Sequence, residues 1–245
     1  MTDNNDNAAS SAQQAGALKS SLTVELHTLY AIRLWEGRKR QTGKNDNAAG
    51  NDSSVQQRRA EILSMPQVIS RAGRAWQAAV EDNPYADAIL LRLEESLARS
   101  HEKISTIVER LNHVLKAIPS GISITDVASS SPLNIGVFSQ SPIGYRCVWL
   151  LVGYDQLALK AFQAAHYGLI SRNERDQYLD SGGHAIRQVY AVIQPWRAVS
   201  VTRDDIEHRT ARGAEAIERF GEPDPDILSG KRRSSFSPPL RQHKR

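Results

Sequence analysis

Leu90, Leu97, Ile104, Leu111 and Ile118 recur at intervals of seven, and Leu93, Ser100, Ile107 and Val114 stand three residues after the first four. That spacing winds a narrow apolar seam along one face of an α-helix through four heptads. Asn83 and Pro84 supply a capping side chain and a first-turn proline, while Pro119 and Gly121 stop the run. The sequence therefore predicts a helix over 84–118, about 50 Å long at ~1.5 Å per residue. A seam of that length cannot stay in water. It packs on another helix of its own chain or on a second copy. The helix 64–82, opened by Ser64 and Pro66 and joined by a tight turn, makes a long antiparallel hairpin the favoured partner.

A second constraint lies where the hydrophobic period changes. Leu133, Ile135 and Val137 alternate as in a strand, whereas Ile143, Cys147, Leu150, Leu151 and Tyr154 fall at helical spacing. Ser141 and Pro142 mark the start of that helix, which runs to 167 with Gly168 closing it. A further helix spans about 172–194, with Gly182 and Gly183 suggesting a kink or a close helix crossing. The order from 133 to 194 is thus strand, helix, helix. The segments 21–28 and 121–127 also alternate, so an intrachain sheet of 21–28, 121–127 and 133–139 competes with a ribbon-helix-helix unit. A last helix begins at Thr202, capped with Asp205, and continues through Phe220 to Gly221.

The fold class is mainly α with a small β ribbon, α+β at the margin. One domain over 18–222 is expected, with a loop insertion at 41–54, between a disordered N-terminus at 1–17 and a disordered basic tail at 223–245. No apolar run is long enough for a membrane span, and 1–18 lacks the pattern of a secretion signal, so a cytoplasmic bacterial protein is expected. The one cysteine, Cys147, rules out an intrachain disulfide and sits on an apolar helix face. The seven histidines form no His-x-x-x-His pair, and there is no GxxxxGK[ST] loop. Neither an enzyme, a cofactor, a metal nor a small-molecule substrate is expected.

Charge points toward nucleic acid, but unevenly. Of the net charge of +4, residues 231–245 supply six positive charges and no acid, leaving the remainder at −2. Lys231, Arg232, Arg233, Arg241, Lys244 and Arg245 are therefore candidate phosphate contacts on a mobile arm. In a ribbon-helix-helix unit, paired strands enter the major groove and outward side chains read base edges. With Leu133, Ile135 and Val137 facing inward, the outward candidates are Asn134 and Phe138, with Gln140 beyond them. Asn and Gln pair well with adenine, and Phe can touch thymine methyls. The amides opening the helix at 142 are a candidate phosphate cradle.

The stretches LTVELHT, RLWEGR, NPYADAILLRLEE, PSGISI, SPIGY, GYDQL, GGHAIRQV, VTRDD and SPPLR, in this order, resemble a family encoded by bacterial integrating conjugative elements and grouped with AcaB-like transcriptional activators. The resemblance spans roughly 22–241. It implies a homodimeric ribbon-helix-helix protein that binds double-stranded DNA and regulates conjugation genes. The competing class is a non-catalytic assembly protein of the mobile element that uses the heptad helix for protein contacts.

Overall fold

In the computed structural model, residues 21–39 and 61–240 are described. Their elements in chain order are β1 (Leu22–Leu26), α1 (Leu29–Glu36), α2 (Met65–Val80), α3 (Pro84–Lys116), β2 (Leu133–Val137), α4 (Pro142–His166), α5 (Arg172–Ile193), α6 (Arg203–Glu207), α7 (Ala211–Phe220) and α8 (Pro225–Leu228). The molecule is mainly helical, with one small two-stranded antiparallel sheet among the described residues.

Local chemistry sets the helix starts. Ser64, Asn83, Ser141, Ser171 and Thr202 each accept a backbone N–H of the first turn, and a proline follows at α2, α3 and α4. α4 is the central element. Ile143, Cys147, Leu151, Leu157, Ala158 and Ala161 on it are at most 1% exposed, because α3, α5, α2, α1 and β1 surround it. The α3 seam is buried as its spacing predicts, through Leu90, Leu93, Leu97, Ser100, Ile104 and Leu111. Its partners lie in the same chain. Besides α2, which turns back on α3 across Asp82 (φ 66°), the seam meets α4 and α5. Ser100 Oγ donates to the Ala185 carbonyl at 3.1 Å, which satisfies the one polar group in that seam.

The glycine pair of α5 marks a close crossing. A Cβ on Gly182 would stand 2.6 Å from Cδ2 of Tyr154, whose hydroxyl donates to the Leu179 carbonyl at 3.0 Å. Hydrogen bonding and burial hold that ring in place. Gly37 (φ 73°) has a similar role, since a Cβ there would meet the Ser64 backbone nitrogen at 2.6 Å. This close approach lets Arg38 and Ile62 form an antiparallel bridge that draws the ends of α1 and α2 together.

One open alternative is decided and three expectations require correction. β2 pairs with β1 of the same chain, in the register Leu22↔Val137 to Leu26↔Leu133. The segment 121–127 is not a strand; it crosses the surface irregularly and is pinned where Gln163 Nε2 donates to the Thr125 carbonyl at 2.9 Å. The last helix is two helices, because Arg209 takes φ 48° and Thr210 starts α7 with a new cap while donating to the Asp205 carboxylate at 2.7 Å.

The tail from 223 to 240 is not a disordered arm. It folds through α8 and lies across α3. Fully buried Asp87 accepts from Arg203 Nη2 (2.5 Å), from Arg233 Nε and Nη2 (2.9 and 3.0 Å) and from Ser237 Oγ (2.8 Å). Arg203 also reaches Asp82 at 2.6 Å and the carbonyls of Ile227 and Leu228. Trp76 Nε1 donates to the Phe236 carbonyl at 3.0 Å, and Arg146 lies 5.2 Å from the Phe236 ring centre. A basic, proline-containing segment reads as disordered by composition, but a buried carboxylate needs cations, and the tail provides one. The expected N-terminal disorder at 1–17 and the insertion at 41–54 lie outside the described residues.

Candidate nucleic-acid interface

The ribbon is held on the central helix by a carboxylate. Asp155 on α4 is 1% exposed and accepts from the backbone N–H of His27 (2.8 Å) and Thr28 (2.9 Å), and from Thr28 Oγ1 (2.6 Å). Thr28 Oγ in turn accepts from Ala31 N and starts α1. One buried side chain thus fixes the end of β1 and the beginning of the next helix. This anchor lies 127 residues from Thr28 in sequence, so nothing local announces it.

With β1 anchored, the pleat sorts the ribbon into two faces. Val24, Leu26 and Val137 are buried and Ile135 is half-buried. On the other face stand Thr23 opposite Gly136 and Glu25 opposite Asn134, all four exposed. Phe138, just beyond β2, is 77% exposed. A phenyl ring left in water on a pleated surface is the arrangement to explain. Gln140 is also exposed and lies against α2, where a Cβ on Gly73 would be 3.4 Å from its Oε1. Asn134, Phe138 and Gln140 thus all reach the surface, with Glu25 as an unforeseen acidic neighbour of Asn134.

Between this strand end and α2 lies an open groove of about 450 Å³ lined by Trp35, Ile69, Arg74, Phe138 and Gln140 among others. Beside it is a cluster of positive charge. Arg71 donates to the Gln194 carbonyl, and Arg197 reaches the same carbonyl at 3.0 Å. The Arg71 guanidinium is held below the usual arginine range, first by its partial burial and then by the like charges of Arg197 and Arg74. Three guanidiniums that repel one another beside a groove, with Glu61 offsetting part of their charge at Arg71, leave a local excess of positive charge that attracts anions. Sequence reasoning missed this cluster. Arg71 and Arg74, three residues apart on α2, were the available signal; Arg197 is brought in by tertiary packing alone.

The start of α4 and the first tail cations, both expected as phosphate contacts, are engaged within the chain to different degrees. Ser139 Oγ donates to the Ser141 carbonyl at 2.8 Å and accepts from Ser141 N, and Gly144 N donates to Ser141 Oγ. Ser141 and Ile143 are buried, so the start of α4 is capped and covered rather than open to an anion. Arg233 is spent on Asp87, Arg232 lies 3.0 Å from Glu95, and Lys231 lies 3.6 Å from Asp226. Arg233 is therefore taken up in the fold, whereas the side chains of Lys231 and Arg232 stay 78% and 53% exposed beside their acids. Arg241, Lys244 and Arg245 lie outside the described residues. Burial of Cys147 pushes its thiol up to about 12, which leaves it protonated and unreactive. No helix among the described residues is long and apolar enough to cross a membrane.

The family model for the transcriptional regulator AcaB matches residues 14–241. The chain belongs to the AcaB family of transcriptional regulators. The fold agrees: the crystal structure of selenomethionine-containing AcaB from uropathogenic E. coli superposes with a TM-score of 0.54 at 12% identity, covering 86% of this chain and 95% of that one. No curated protein matches the chain.

Proposed function

We propose that this AcaB-family regulator binds double-stranded DNA through the outer face of its β ribbon, as a homodimer in the bacterial cytoplasm, and controls conjugation genes of an integrating conjugative element. The observation that supports this most directly is that exposed Phe138 and Gln140 line a groove with Arg74, next to Arg71 and Arg197, while Asn134 is exposed farther along the same strand. Amide side chains can pair with adenine edges and a phenyl ring with thymine methyls, while arginines hold phosphates and set the register. The likeness of the ordered motifs to proteins of conjugative elements supports the choice of target genes. Reading of this kind needs neither a cofactor nor a small-molecule substrate.

Anisotropy titrations on duplexes from promoters of the element test the reading. Asn134→Ala and Phe138→Ala should leave melting unchanged and cost about 1–3 kcal/mol on a specific duplex, with little change on random DNA. Arg74→Ala should weaken all duplexes alike and reduce the slope of log K against log salt by about one. If no duplex binds better than random sequence, or if the ribbon variants bind as the wild type does, the proposal fails.

A further inference from the structure

The α3 seam is consumed inside the chain, so a dimer must be built from another surface. Helices α3 and α4 run in the same direction, with Leu97 beside Arg146 and Ile104 Cγ2 3.8 Å from where a Cβ on Gly153 would stand. A groove follows their junction, floored by Leu97, Ile104 and Leu150, all under 5% exposed. Trp149 rises from this floor and is 60% exposed. One helical turn later Gly153 leaves a hollow, since Ile104 is the one neighbour that a Cβ there would meet. A large apolar knob and a hole four residues apart on one helix are about 6 Å apart at ~1.5 Å per residue.

We propose that a second copy of this chain docks on the α3–α4 groove about a two-fold axis, each Trp149 filling the partner's Gly153 hollow. This deepens the homodimer part of the reading above by naming its face. A two-fold axis makes an interface self-complementary: if one position meets another, the reverse contact also forms. An axis that exchanges 149 with 153 on α4 also exchanges 146 with 156. Arg146 of each copy then faces the partner's Gln156, and beside it on α3 the exposed Glu109, which lines the same groove. The contact that places the aromatic ring thus also pairs opposite charges at both ends of the groove. A central buried tryptophan with a charged rim is the usual composition of a protein interface. The ribbon plays no part in this contact and remains free for another partner.

Sedimentation velocity on the full chain without DNA tests the proposal. The wild type should dimerise, while Trp149→Glu should sediment as a monomer with unchanged melting, since its side chain lies outside the core. Gly153→Gln fills the hollow, has room within its own chain, and should also give a monomer. Glu109→Arg and Arg146→Glu should each weaken the dimer about tenfold and the two together restore most of that loss, with melting recorded for each variant because Arg146 also lies over the Phe236 ring. A wild type that is monomeric at ~100 µM, a dimer that survives Trp149→Glu or Gly153→Gln, or a charge swap without rescue overturns the proposal. Because no DNA is present, these failures reassign the dimer and leave the ribbon reading to its own titrations.

Discussion

Replacing Asp87 by alanine tests whether the C-terminal segment is a structural part of the molecule. The carboxylate is 0% exposed and accepts four hydrogen bonds, from Arg203, twice from Arg233 and from Ser237. Bonds to a charged group contribute roughly 1.5–3 kcal/mol each, so their gross sum is large. The net effect is smaller, because removing the carboxylate also removes the cost of burying it. What remains is two guanidiniums, 8% and 14% exposed at the side chain, facing an apolar methyl group. Arg203 keeps Asp82 and two carbonyls, whereas Arg233 keeps only the Pro238 carbonyl. Removing one partner of such a cluster costs about 3–5 kcal/mol. At about 2–4 °C per kcal/mol for a chain of this size, melting should fall by roughly 6–20 °C. Calorimetry measures the shift. Limited trypsin digestion locates it, because cleavage at Arg232 and Arg233 should speed up first as the tail lifts from α3. A variant within about 1 kcal/mol of the wild type, with the tail still protected, would refute the account of Asp87 as the clasp.

Two further outcomes follow from the packing and the charges. Gly182→Ala should lower stability by about 1–3 kcal/mol in denaturant titration, since the added methyl meets the immobile Tyr154 ring at 2.6 Å, whereas Gly136→Ala, with nothing within 4 Å, should be neutral. Hydrogen bonds from Thr210 and Thr202 hold the Asp205 carboxyl below the usual carboxylate range; for Glu94, burial pushes upward but bonds from Ser235 and Ser234 prevail and lower it. A lowered native pKa adds stability that is complete above the ordinary value near ~4 and is lost as pH falls through the native one. The α6–α7 junction and the tail should therefore loosen in acid, and amide exchange there at pH 3 no faster than at pH 6, after correction for intrinsic rates, would refute this.

Much of the fold was legible because helix formation is locally encoded. The caps at Ser64, Asn83, Ser141 and Thr202, with their prolines or acids in the first turn, mark boundaries that the structure keeps to within a residue or two. The heptad spacing gave the buried face of α3, and the alternation gave inward Val137 with outward Asn134 and Phe138, although Leu133, expected inward, is exposed at the start of β2. Of the candidate interface, the ribbon side chains were thus readable, while the cluster of Arg71, Arg74 and Arg197 was not, because Arg197 joins it only in the folded chain. Composition marks Lys231, Arg232 and Arg233 as a free arm; only the fold brings Asp87, Glu95 and Asp226 against them.

What the chain settles by itself depends on neighbours a few residues apart: where helices start, which stripe of each is apolar, and which strand positions share a face. Tertiary structure decided which strand β2 meets, which helices cover the α3 seam, that Asp155 fastens β1 to α4, and that Arg197 joins Arg71 and Arg74. Each of these joins residues more than a hundred positions apart or chooses among several apolar faces of similar character. Alternation identifies a strand without naming its partner, and a solvent-facing arginine differs from a buried one only by what the folded chain places beside it. Burial makes that choice, because a carboxylate such as Asp87 leaves water only where cations and hydroxyls converge on it, and these come from segments brought together by folding.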